Sequence, residues 1–220
     1  MLFLHGYLSS KEAFLRQIQY FSRFYRVTAV DFIGFGKSGG LKELFSVSDY
    51  AAWLWEVMRL LRVQKPHVIA HSFGCRVAVK LAYERPVAFD KLVLTGPAGV
   101  ILKRGFAYRA KVGAYRFVRK FAPKFAEKKF GSAEYRTLSP IMKESYKKIV
   151  NEDLRECARQ VENHVLLLVG REDRVTPKRE AEEYLKAFPK ATLREMNGGH
   201  FAFLDDPIAF NLFTEEFLYE

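Results

Sequence analysis

Six short apolar runs, set apart by stretches with helical periodicity, constrain this chain more than any other feature. They fall near residues 1–5, 26–31, 66–71, 91–96, 164–169 and 191–196. Runs of this length that alternate with helical patterns predict parallel strands joined by crossover helices. A first helix is expected over about 11–24, with Phe14, Ile18 and Phe21 on one face. A second is expected over about 48–62, where Tyr50, Trp53, Leu54, Val57 and Leu61 recur at spacings of three and four. Thr176-Pro177 and Asp206-Pro207 read as N-cap and first-turn pairs that open the last two helices. No internal repeat or low-complexity linker interrupts the pattern.

One segment does. Residues 98–160 read as helices broken at Gly105, Gly113, Pro123, Gly131 and Pro140, with Ala114, Phe117, Val118, Phe121 and Phe125 forming an apolar stripe. Ordinary packing onto the core is the simplest use of that stripe, with the basic face turned outward. Residues 100–150 hold 14 Lys or Arg against 3 Glu, so this segment carries the whole formal charge of +11 and the remainder is neutral. Charge runs on helices are usually solvated faces, although electrostatic contact with an anionic surface is the competing use. No specific nucleic-acid partner is expected.

The stretch from Pro66 to Cys75 carries the chemistry. A short apolar strand runs into Ala70, His71, Ser72, Phe73 and Gly74, and a helix-forming segment follows from Arg76 to Tyr83. A serine on a sharp strand-to-helix turn has its hydroxyl pushed clear of the backbone, facing the following amide and the helix N-terminus. Gly74 meets the need for a small residue where backbones nearly touch, and Ala70 stands where glycine is usual. Three further features sit at the ends of apolar runs. Asp173 follows 165–169, His200 follows 192–196 and the pair Gly198-Gly199, and His5-Gly6-Tyr7 follows 1–4. The resulting chain order is Ser, Asp, His, with an early loop able to supply a second oxyanion donor.

These motifs, with the glycine-rich loop from Asp31 to Ser38 and with Gly199-His200-Phe201, resemble the lid-bearing α/β-hydrolase family over nearly all of the chain. The resemblance implies an α/β fold, a mostly parallel sheet of about six strands flanked by helices, with a helical lid inserted between core strands. The core would comprise residues 1–97 and 161–220, and the lid 98–160. Members usually carry two further strands before the one that leads into the His-Gly loop. Either this sheet is reduced, with an exposed edge that admits a homodimer, or the recorded start is internal to a longer product.

In such a site Ser72 would be the nucleophile, His200 the base and Asp173 its partner, with the backbone amides of Tyr7 and Phe73 binding the oxyanion. His5, Gly6, His71 and Gly74 would support the loop and the turn. His67 and His164 stand at strand starts, the wrong end, while His71 adjoins the serine and points its side chain elsewhere. Glu172 is the nearest rival to Asp173, and Asp205 and Asp206 suit helix caps. The 31–38 loop lacks the Lys-Ser/Thr spacing of a phosphate loop. No His/Cys/Asp cluster has metal-ligand spacing, so neither a metal nor a cofactor is expected.

A serine nucleophile excludes relatives with aspartate at that turn. The leading expectation is a serine hydrolase of small carboxylic esters. Hydrolysis of a C–C bond in an anionic ring-cleavage product would use the same triad, and an inactive member binding a ligand or an anionic surface is the third reading. The two cysteines, Cys75 and Cys157, make no disulfide framework, and no run approaches the length of a membrane span. With no signal-peptide pattern at Met1, a cytoplasmic protein is the default.

Overall fold

The computed structural model describes residues 1–102 and 138–220. The apolar stripe from Ala114 to Phe125 and the breakers Gly105, Gly113, Pro123 and Gly131 lie outside those residues.

Six parallel strands form one sheet in the order β2-β1-β3-β4-β5-β6. They are β1 (Leu2–Leu4), β2 (Thr28–Val30), β3 (Val68–His71), β4 (Leu92–Thr95), β5 (Val165–Gly170) and β6 (Ala191–Met196). The helices among the described residues are α1 (Leu15–Phe21), α2 (Val47–Leu60), α3 (Phe73–Glu84), α4 (Pro140–Val150), α5 (Arg155–Ala158), α6 (Lys178–Ala187), α7 (Ala202–Asp205) and α8 (Pro207–Tyr219).

Alternation along the strands divides the core in two. Leu2, Leu4, Val68, Ala70, Leu92, Leu94, Val165 and Leu167 join one cluster with residues of α2 and α3. Phe3, Ile69, Val93, Leu166 and Leu168 join the other, with Phe21 of α1 and Phe210 and Phe217 of α8. Successive side chains of a strand point to opposite faces, so a strand covered by helices on both sides needs apolar residues throughout. That is why these runs are continuous. At the margin of the sheet β6 is less covered, with Thr192, Arg194 and Glu195 exposed.

The helices fit the periodic reading with three differences. Lys11–Phe14 form a 3₁₀ turn, so the regular helix opens only at Leu15. The buried face of α2 runs through Tyr50, Leu54 and Met58, whereas Leu61 caps the helix and is 48% exposed. A step of four keeps to one face of a 3.6-residue helix, and Leu61 falls after its last turn. Asp206 accepts the Ala209 amide at 3.2 Å, as an N-cap should, but Pro177 occupies the cap position before α6 and Thr176 caps nothing.

Pro140 opens α4 at the first helical position after Ser139, whose hydroxyl accepts the Met142 amide. Arg76, buried in α3, donates to the carbonyls of Ile149 and Glu152 at 2.9 and 2.8 Å and so ties the end of α4 to the core. The chain passes from β1 to β2 on one side, then returns to place β3 on the other side of β1. The crevice at such a reversal, outside the carboxyl ends of the strands, is where open α/β sheets bind ligands.

Candidate active site

Ser72 stands between β3 and α3 with φ 49° and ψ −107°, a conformation that costs a non-glycine residue of order 1–3 kcal/mol. The surrounding sheet holds it there. Its amide donates to the Thr95 carbonyl at 3.1 Å, and its carbonyl accepts the Cys75 amide at 3.0 Å. Gly74 meets the backbone of β1: a Cβ there would lie 2.9 Å from the His5 carbonyl oxygen and closer still to that of Leu4. Ala70 is fully buried in β3, its methyl accommodated in the core. The buried Cys75 thiol donates to the Ala70 carbonyl, and burial pushes its pKa up, away from the reactive thiolate.

Three strand ends then converge. His200 Nε2 lies 3.0 Å from the Ser72 hydroxyl, and its Nδ1 lies 2.8 Å from Asp173 Oδ2. The Asp173 side chain is fully buried, and that of His200 is 13% exposed. Burial raises the Asp173 pKa, but hydrogen bonds from His200 and from the Thr176 amide outweigh it, and the net shift is downward. An ionised carboxylate can only accept, so the imidazole proton sits on Nδ1 and Nε2 is left to accept from the serine.

The carboxylate has more donors than the pattern of the sequence implied. Asp173 Oδ1 accepts the amides of Val175 and Thr176 at 2.8 and 2.9 Å, and Oδ2 accepts the Thr176 hydroxyl at 2.8 Å. That hydroxyl also lies 3.2 Å from His200 Nδ1. Thr176 carries the local Thr-Pro signal of a helix cap. Its real partner lies three residues back, across a tight turn. Glu172 is exposed and reaches the His200 loop only through its amide, which donates to Gly198. Asp205, which suits a cap by its place in the sequence, instead accepts the Gly199 amide at 2.9 Å and anchors that loop.

The remaining histidines sort by position. His5 is buried with Nδ1 2.7 Å from the Gly6 carbonyl, and its Nε2 accepts the Phe32 amide at 3.0 Å. It therefore joins the loop after β1 to the loop after β2. Burial lowers its pKa, against the raising influence of the Gly6 bond and of Asp31. His67, at the start of β3, pairs with Asp90 at 3.5 Å, and the His164 carbonyl accepts the Leu92 amide at the same end of the sheet. His71 does not point away from the site: its ring packs against that of His200, 4.7 Å between centroids.

Tyr7 follows Gly6 in the loop after β1 and is half-buried. Its ring packs on Phe35, Phe73 and Tyr146, and its hydroxyl donates to the Met142 carbonyl at 3.2 Å. Phe73 is the first residue of α3, and the first amides of a helix have no acceptor within it.

A sequence model described as the alpha/beta hydrolase fold matches residues 1–138. The chain belongs to this family. Among curated relatives, this alpha/beta hydrolase is 30% identical over 133 residues to a probable lysophospholipase, BODYGUARD 1, of Arabidopsis thaliana. That match covers 56% of the chain but only 27% of the relative. It is 29% identical over 239 aligned positions to the magnesium-chelatase 30 kDa subunit of Rhodobacter capsulatus, covering 91% of the chain and 80% of the relative. Among solved structures, an esterase from Exiguobacterium antarcticum superposes with a TM-score of 0.79 at 22% identity, over 100% of this chain and 91% of that one. At that identity the likeness shows the shared fold. No helix among the described residues of this alpha/beta hydrolase is long and apolar enough to cross a membrane.

Proposed function

We propose that this chain is a serine hydrolase that cleaves small carboxylic esters through an acyl-enzyme. Ser72 Oγ attacks the acyl carbon as its proton passes to His200 Nε2, and the carbonyl π electrons move onto oxygen. Collapse of the tetrahedral adduct breaks the C–O bond, and His200 returns the proton to the departing alcohol. Water then attacks the acyl-serine as its proton passes to His200; collapse of the second adduct breaks the bond to Ser72 Oγ, which takes that proton back, and the acid departs. Asp173 holds the Nδ1 proton throughout and stabilises the imidazolium.

The observation that carries this reading is the unbroken relay from buried Asp173 through His200 to Ser72, at 2.8 and 3.0 Å, on a backbone turn held out of its relaxed conformation. The oxyanion would meet the Phe73 amide, helped by the N-terminus of α3, and the Tyr7 amide. Removing one such donor costs on the order of 10²–10³ in turnover. The aromatic cluster of Tyr7, Phe35, Phe73 and Tyr146 beside the nucleophile suits a compact apolar acyl group. Residues 98–160 would serve as the lid over it.

A fluorophosphonate probe tests the reading. It should label folded protein at Ser72, and Ser72→Ala should abolish both labelling and turnover of short p-nitrophenyl esters. No labelling of the folded wild type would refute it and favour a binding role. Labelling of Ser72 with turnover of a ring-cleavage product, but not of esters, would move the substrate class to C–C hydrolysis.

A further inference from the structure

We propose that His71 is a positioning residue that ties the base-bearing loop to the nucleophile turn. The inference rests on the triad reading above and assigns a role to a buried imidazole that the reaction itself does not use.

His71 is the last residue of β3, 1% exposed, immediately before Ser72 in the chain. Its Nε2 lies 3.0 Å from the backbone carbonyl of His200. A carbonyl only accepts, so Nε2 carries the hydrogen and Nδ1 the lone pair. Nδ1 is buried with no hydrogen-bond partner among the described residues. It faces Gly6, where a Cβ would stand 2.8 Å away. The ring is held at 4.7 Å from the rings of both His200 and Phe201 and at 5.1 Å from that of Phe203.

The ring therefore touches all three parts that must stay in register. It is joined covalently to Ser72, packs on the loop that precedes Tyr7, and donates to the backbone of His200. Burial, reinforced by the adjacent His200, lowers its pKa to about 3, so it remains a neutral single donor. The need is local. His200 follows Gly198 and Gly199 in a loop between β6 and α7; Asp205 holds the Gly199 amide and Asp173 orients the imidazole, while the carbonyl of His200 itself is held by His71. A misplacement of about 1 Å at such a position costs on the order of 10²-fold in rate.

Side-chain reach separates this role from simple packing. Gln places its amide nitrogen about where His71 Nε2 sits, whereas the shorter Asn does not, and Leu has no donor. Each variant would be measured for kcat and KM on a short p-nitrophenyl ester, for the rate of fluorophosphonate labelling at Ser72, and for Tm. His71→Asn and His71→Leu should lower kcat and the labelling rate by about 10- to 100-fold with KM within twofold. His71→Gln should recover most of both rates.

Rates for Gln no better than for Asn, both being folded, would overturn the proposal, as would wild-type rates for Leu. Should Leu not fold, the Asn and Gln pair carries the same comparison. Wild-type protein that fails to label at Ser72 would instead sink the triad reading itself. Labelling of wild type with no difference between Asn and Gln sinks only the role of His71.

Discussion

Replacing Ser72 by glycine and by alanine separates what its backbone costs from what its hydroxyl contributes. At φ 49° and ψ −107° the residue lies outside the wells open to an L side chain, a cost of about 1–3 kcal/mol. Alanine keeps the Cβ and hence the strain, while losing the hydroxyl bond to His200, about 0.5–1.5 kcal/mol net. Glycine loses the same bond but relieves the strain. It gives back about 0.4–1 kcal/mol through the greater freedom of the unfolded chain. Taking the middle of each range, Ser72→Gly should therefore be more stable than Ser72→Ala by about 1.3 kcal/mol. A domain of this size shifts its Tm by roughly 2–4 °C for each kcal/mol. Urea unfolding with a shared m-value would give the difference directly, and calorimetry would check it. Both variants should be inactive. A glycine variant no more stable than the alanine variant would refute the strain argument.

Two further outcomes follow from the carboxylates. Asp173→Asn keeps the shape of the site but offers an amide that can face Nδ1, favouring the wrong imidazole tautomer. Ester turnover should fall by roughly 10⁴-fold with the fold intact by circular dichroism, and a loss below tenfold would remove Asp173 from its role. Asp31 is a structural case. Burial raises its pKa, but the Lys11 ammonium at 2.5 Å and the amides of Lys11 and Lys37 outweigh that and hold it at about 2, below the ordinary 3.8. A lowered folded pKa means stability that is present above about pH 4 and lost as pH falls toward 2, worth about 2 kcal/mol. The stability gap between wild type and Asp31→Asn, read from urea midpoints, should be level above pH 4 and narrow below it; a constant gap would contradict the assignment.

Much of the fold was readable because it rests on short-range regularities. Continuous apolar runs such as 165–169 can be satisfied only between two layers of helices. The order of the runs then leads to a parallel sheet with its loops at one end. The turn at Ser72 was readable for a similar reason, since Gly74 permits a backbone approach that a larger residue would block. Asp173 and His200 stood out because each lies in the loop that leaves the carboxyl end of a strand. The departures from the local pattern share a cause as well. Thr176 and Asp205 carry strong local capping signals, yet each bonds a partner that the turn or loop brings round to it. His71 looked remote from His200 because the residue beside a nucleophile faces away along the strand; only the return of the β6 loop over the sheet sets the two rings together.

The chain by itself determined the layers, the strand ends and the residue types available at them, because burial and helical or strand periodicity act over a few residues. It also concentrated the excess positive charge between residues 100 and 150. Only the tertiary structure decided which donors reach the Asp173 carboxylate, which histidine underlies which, and which acid anchors the His200 loop. Those contacts join residues separated by as many as 129 positions, as His71 and His200 are. Their geometry comes from how the loops close over a twisted sheet, and nothing in the local pattern of either partner specifies it.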